Sequence, residues 1–80
     1  MTEGQVQSKR IKELEAEGYY VLKLMKTNKN GIPDLIAIKS NRPALFVEVK
    51  TKKGKLSRLQ EYRLKELESL GFEVEVYYGK

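Results

Sequence analysis

The 80-residue chain contains no cysteine, no histidine and no tryptophan, only two prolines, and no apolar run of membrane-spanning length. Each absence excludes a class of protein. Without cysteine there is no disulfide framework, and without cysteine or histidine there is no thiolate or imidazole metal centre, so any bound metal must be held by oxygen. With neither a membrane-length segment nor anything resembling a signal peptide, a cytoplasmic protein is expected, with no membrane partner. A third scarcity is local. Between Gly18 and Gln60 there are ten Lys or Arg residues and only two acids, Asp34 and Glu48, while the other nine acids fall within Glu3 to Glu17 and Glu61 to Glu75.

Positive charge is what the chain has in surplus. Sixteen Lys and Arg against eleven Asp and Glu give a net charge of +5 and a sequence pI near 9.5, which points to a polyanionic partner. The length implies one domain, residues 1–80. A chain of this size buries only about 60 to 65% of its unfolded surface, so its core is thin.

The punctuation along the chain predicts six elements. Thr2 to Glu17 is expected to be a helix: Thr2 and Gln5 form a capping box, Gly18 ends it, and Leu14, Val6 and Ile11 form its inner stripe. Glu3, Gln7 and Arg10 lie on that same side, and on geometry alone Glu3 reads first as a first-turn acid favoured by the helix dipole. Tyr19 to Lys26 is predicted to be a strand, followed by the polar loop Thr27 to Gly31, which is basic at its tip. Pro33 can open a second strand, Ser40-Asn41-Arg42-Pro43 supplies turn chemistry, and Ala44 to Val49 is a third strand, so the two form a hairpin. A second helix, about Ser57 to Leu70, has Leu59, Leu64, Leu67 and Leu70 as its apolar spine, with Ser57 and Gln60 as a capping box. Phe72 to Tyr78 alternates as a strand with one wet face. The predicted order is αβββαβ.

Within the hairpin one residue is out of place. Ala44 to Val49 is apolar at every position except Glu48, a pattern that belongs to a strand covered on both faces. Period-two geometry sets Phe46, Glu48 and Lys50 on one face, and a register pairing the two apolar runs brings Asp34 near Glu48. Two carboxylates held close and shielded from water raise each other's cost of ionisation, so such a pair calls for a cation between them. From Lys50 to Arg58 five cations follow in nine residues: Lys50, Lys52, Lys53, Lys55 and Arg58. They leave the strand that carries Glu48 and lead into a helix N-terminus, two features that attract phosphate. Lys26 at the end of the preceding strand and Lys29 in the polar loop are further candidates for backbone contact, a reading of equal weight with an ordinary connector.

Pro33-Asp34 followed by Glu48-Val49-Lys50 is the signature order of the PD-(D/E)XK nucleases. The longer strings Gly31 to Ile36 and Phe46 to Lys50, followed by Gly54-Lys55-Leu56-Ser57 and Gln60, resemble the virus-type replication-repair nuclease (VRR-NUC) branch of that superfamily nearly end to end. The Gln-x-x-x-Tyr variant is not met, because Leu64 occupies the tyrosine position. The resemblance implies an α/β fold, the minimal αβββαβ core with a mixed sheet flanked by helices. It further implies a metal-dependent endonuclease acting on branched DNA such as Holliday junctions, in a phage, viral or bacterial context. Asp34, Glu48, the main-chain carbonyl of Val49 and Glu3 would hold Mg2+ or Mn2+, Glu3 directly or through water; Lys50 would assist the attacking water, and Gln60 would lean toward the carboxylates.

Two other readings use the same residues. One is a catalytically silent nucleic-acid-binding module on this fold, and the other a small basic RNA-binding protein whose two central acids pair with lysines. Both sit poorly with acids placed in the most basic region, where each repels phosphate. A homodimer is expected, because the core is thin and because cutting two strands of a junction needs two copies. Tyr19, Tyr77 and Tyr78 are its candidate anchors, each equally readable as a strand-end aromatic of the domain's own core.

Overall fold

The computed structural model describes residues 1–79. Its elements run α1 (Glu3–Ala16), β1 (Tyr20–Lys23), β2 (Leu35–Ile38), β3 (Leu45–Lys50), α2 (Arg58–Ser69) and β4 (Glu73–Tyr78). This is the predicted αβββαβ order. The four strands form one mixed sheet in the order β1-β2-β3-β4, antiparallel between the first three and parallel between β3 and β4. No described helix is long and apolar enough to cross a membrane.

Both helices begin where their capping residues dictate. The Thr2 hydroxyl accepts from the Gln5 amide while the Gln5 side chain accepts from the Thr2 amide, and Ser57 and Gln60 repeat the reciprocal arrangement at α2. Gly18 and Gly71 follow the two helices with φ of +94° and +97°, a left-handed turn that lets the chain reverse into a strand. Asn41 turns the β2–β3 hairpin with φ of +62°, a conformation asparagine tolerates better than most residues.

The main core lies on one face of the sheet. Val6 and Leu14 of α1 pack with Leu35, Ala37, Val47 and Val49, all fully buried, and Ile11, Tyr19, Val21, Leu45 and Tyr77 fill in around them. Alternation then turns Phe46, Glu48 and Lys50 to the other face, where α2 packs over β4 and reaches Glu48. There Leu64 is buried and Phe46 meets Phe72 edge to face, with ring centroids 5.4 Å apart. β3 is thus covered on both sides, as its apolar composition requires.

Four expectations need correction. β1 is shorter than Tyr19 to Lys26: Leu24 donates to the Asp34 carbonyl, and beyond that point Pro33 has no N–H to extend the ladder. Of the proposed α2 spine, Leu59 and Leu70 are exposed, because α2 spans only part of the sheet face. β4 has no wet face. Tyr77 packs against the α1 core, and Glu75 accepts two hydrogen bonds from Arg10, at 3.0 Å from Nε and 2.8 Å from a terminal nitrogen. Arg10 also bonds Glu13 at 3.2 Å and lies over the Tyr77 ring, 5.0 Å from its centroid. Burial alone lowers the Arg10 pKa, but the charges and hydrogen bonds of Glu75 and Glu13 outweigh it and the net shift is upward. Finally, Tyr19 and Tyr77 belong to this chain's own core and are not free anchors, while Tyr78 is exposed.

Candidate active site

The site is built by the β2–β3 register. Leu35 pairs with Val47 and Ile36 with Phe46; one further step along the same ladder sets Asp34 against Glu48. Asp34 is fixed at the mouth of the hairpin, where its Oδ2 accepts from the Val49 amide at 2.8 Å. Glu48 is only 2% exposed and is the one buried charged residue among those described. Burial is the first cause that drives its pKa from 4.5 up to about 8; the Asp34 charge and a hydrogen bond with the Asp34 carboxyl add to this, Lys50 opposes it, and Glu3 contributes last. Near neutral pH burial and the neighbouring Asp34 charge therefore keep Glu48 largely protonated.

Lys50 and Gln60 complete the near environment. Lys50 Nζ stands 3.9 Å from Glu48 Oε2, at the limit of an ion pair, and its side chain is 13% exposed. The following loop folds back on it, so that a Cβ on Gly54 would lie 3.2 Å from Lys50 Cβ. The Gln60 amide has two tasks at once. Its oxygen caps α2 by accepting from the Ser57 amide at 2.9 Å, and its Nε2 donates to Glu48 Oε2 at 3.4 Å. The capping role and the lean toward the carboxylates, alternatives in the sequence, coexist because an amide carries a donor and an acceptor on opposite sides.

Glu3 stands apart. It occupies the first turn of α1 and is exposed, not turned into the sheet as its helical position suggested. Its charge reaches Glu48, yet no group of three or more acidic, histidine or cysteine side chains gathers closely enough to hold an ion among the described residues. The donor set that fits a cation is thus two carboxylates facing each other, with main-chain oxygen and water to complete it. That set suits Mg2+ or Mn2+, which keep water ligands, and does not suit zinc. The β2–β3 register sets the two carboxyls across from each other, and the chemistry of this all-oxygen set fits the ion on that ground.

The remaining candidate cations fall on two grooves and on the segment that follows β3. Lys26 and Lys29 are exposed and help to line a polar groove of about 500 Å3 that ends at Asp34. On the other side Lys52 and Lys53 line a second groove, about 320 Å3, between the basic loop and the start of α1. Lys55 is exposed between β3 and α2, and Arg58 is exposed at the first position of α2. The sequence did not disclose how α2 meets the β1–β2 loop: Arg63 Nε donates to the Asn30 carbonyl at 2.9 Å. The one available signal was a cation immediately before the buried Leu64.

Comparison with known proteins agrees with this geometry. The family model for the VRR-NUC domain matches residues 2–80. A solved structure described as a VRR_NUC domain is 33% identical, covering 98% of this chain and 84% of that one with a TM-score of 0.82. A VRR_NUC domain protein is 21% identical over 99% of this chain and 79% of its own, with a TM-score of 0.78. Hjc of Archaeoglobus fulgidus, a Holliday junction resolvase from an archaeal hyperthermophile, is 22% identical over 95% of this chain and 62% of its own, with a TM-score of 0.70. No curated protein matches.

Proposed function

The chain belongs to the VRR-NUC family of nucleases, and from that premise we propose that it is a Mg2+- or Mn2+-dependent endonuclease that cuts branched DNA, including four-way junctions. The observation that carries this reading is Glu48, a carboxyl buried opposite Asp34 with Lys50 on its face, inside the most basic part of the chain. A pure binding surface gains nothing from two acids there.

Asp34 and Glu48 would hold the ion, with the Val49 carbonyl as the main-chain donor and Glu3 acting through water from the exposed first turn of α1. The chemistry the ion supplies when bound is acidification of water and polarisation of the scissile phosphodiester. The Val49 amide orients Asp34, and Gln60 Nε2 orients Glu48. The Lys50 ammonium, held on the same face, positions the attacking water and offsets negative charge that grows on phosphorus. The proton held by Glu48 would leave to solvent when its carboxyl became a ligand. Lys26 and Lys29 on one side and Lys52, Lys53, Lys55 and Arg58 on the other neutralise the DNA backbone.

The protein acts as a homodimer in this reading. α2 leaves the β1–β2 half of its sheet face open, and Tyr20, Leu22 and Ile38 are exposed there, with Leu70 and Phe72 at the edge of the α2 cover. An apolar face of this kind on so small a domain is suited to a second copy. The similarity in fold to the Hjc resolvase supports junction DNA as substrate.

Incubation with supercoiled and four-way-junction DNA, with and without magnesium, tests the reading. Metal-dependent cuts in the junction are expected, and Asp34→Asn should abolish them while DNA binding persists or tightens. Equal cutting by Asp34→Asn and wild type would remove this site from the chemistry.

A further inference from the structure

One helix touches both halves of the candidate site. The first turn of α2 holds Glu48 through Gln60, and one turn further along the same helix Arg63 Nε donates to the Asn30 carbonyl at 2.9 Å. Arg63 is itself fixed. Its NH1 bonds Glu66 Oε1 at 3.1 Å, its side chain is largely covered, and its guanidinium carbon lies 5.4 Å from the Tyr62 ring centroid. Beside Asn30 the loop comes closer still to the helix. Gly31 has φ of +78°, and a Cβ built on it would lie 2.6 Å from Leu59 Cγ and 3.4 Å from Arg63 Cγ. Only a glycine backbone fits there without displacing the helix side chains.

The segment held in this way carries the wall of the groove that ends at Asp34, lined among others by Met25, Lys26, Thr27, Lys29 and Asn30. A five-residue polar connector with two lysines near it has little reason of its own to adopt one shape, since its internal bonds are confined to the Thr27–Lys29 turn. Arg63 and Leu59 supply what the loop lacks. Because they project from the helix whose first turn orients Glu48, the position of Lys26 and Lys29 is referred to the carboxylates through a single rigid element.

We propose that Arg63 is a positioning residue: by anchoring Asn30 it holds the β1–β2 loop so that a strand's phosphodiester backbone, lying along the Lys26–Lys29 groove, enters the site in line with Asp34 and Glu48. This rests on the nuclease reading above. Arg63 touches no phosphate in this role, which separates it from the lysines. Its loss should leave the number of neutralised phosphates unchanged and misplace the scissile one.

The test uses Arg63→Met, which keeps the methylene stem against Gly31 and removes the donor. Amide exchange of residues 27–32 should quicken while that of Val47 and Val49 stays protected. The single-turnover cleavage rate at saturating enzyme should fall by roughly 10- to 100-fold, the penalty of an ångström-scale misplacement, with the salt slope of DNA affinity unchanged. Arg63→Lys, which restores a cationic donor, should recover part of the rate, and Glu66→Gln, which removes the charge of the helix-internal pair but keeps its oxygen acceptor, should keep it. Gly31→Ala pushes the loop off Leu59 from the opposite side and should reproduce the defect should Arg63→Met fold poorly. Unchanged loop exchange overturns the anchor; a quickened loop with wild-type cleavage overturns the positioning role; a salt slope reduced by about one makes Arg63 a phosphate contact. If the wild-type protein cuts no DNA, the nuclease reading and the catalytic role fall together, whereas the exchange measurement still decides whether Arg63 holds the loop.

Discussion

Replacing Glu48 by Gln should stabilise the metal-free protein, and increasingly so as the pH rises. The Glu48 carboxyl is almost wholly buried, beside another carboxyl, and its pKa stands at about 8 against an ordinary 4.5. A group whose folded-state pKa is raised binds its proton more tightly in the native protein than in the unfolded chain. Its contribution to stability is therefore complete below about 4.5, declines through the interval to about 8, and is constant above that. At about 1.4 kcal/mol per pH unit, the decline reaches about 3 kcal/mol at pH 7 and about 5 kcal/mol above pH 8. Glutamine has the shape of the protonated acid: its Nε2 can donate to Asp34 where the Glu48 proton did, and its oxygen can still accept from Gln60. The variant thus keeps the low-pH arrangement without titrating. For a domain of this length about 1 kcal/mol moves Tm by roughly 4 to 8 °C, so the variant should melt well above wild type at pH 8 and close to it at pH 5, both in chelator. Thermal melts across that range, with carbon-13 observation of the Glu48 carboxyl, make the check. A Tm difference that does not change with pH, or a carboxyl that titrates near 4.5, would refute the buried, protonated Glu48 arrangement.

The same arrangement predicts that magnesium binding releases about one proton near pH 7, visible as a buffer-dependent heat in calorimetry, and that affinity climbs between pH 6 and 8. Lys50→Ala should lose cleavage but keep magnesium binding; loss of both would make Lys50 a structural residue. Changing Lys52, Lys53 and Lys55 together to Ala should flatten the plot of log affinity against log salt by roughly 2 to 3, the number of phosphates released, and an unaltered slope would move the DNA to another face. Arg10→Met leaves half-buried Glu75 without its two hydrogen bonds and should cost about 2 kcal/mol in urea unfolding, where an unmoved midpoint would deny the clamp. Leu22→Glu with Ile38→Glu should yield a monomer by sedimentation equilibrium if the open sheet face pairs two copies; a wild-type monomer that cuts junctions at full rate would end the dimer proposal.

Much of the molecule is local in origin, and that part was legible. The capping pairs Thr2–Gln5 and Ser57–Gln60 and the glycines that follow each helix act over three or four residues, so the sequence alone set the helices and the element order. The odd acid in an otherwise apolar strand marked Glu48, and pairing the apolar runs on either side of Asn41 could bring Asp34 near it, a register that the pairing of Leu35 with Val47 continues. Relations between distant segments had no such signal. Whether β4 had a wet face depended on Arg10, 65 residues away from Glu75, and whether Tyr77 and Tyr19 were free depended on how far α1 reached across the sheet. The exposure of Glu3, the double use of the Gln60 amide and the hold of Arg63 on Asn30 were likewise decided by tertiary packing. Periodicity states which side of an element a residue occupies. What that side meets is fixed only when the elements dock, because the docking angle and the span of each helix are set by the whole core at once.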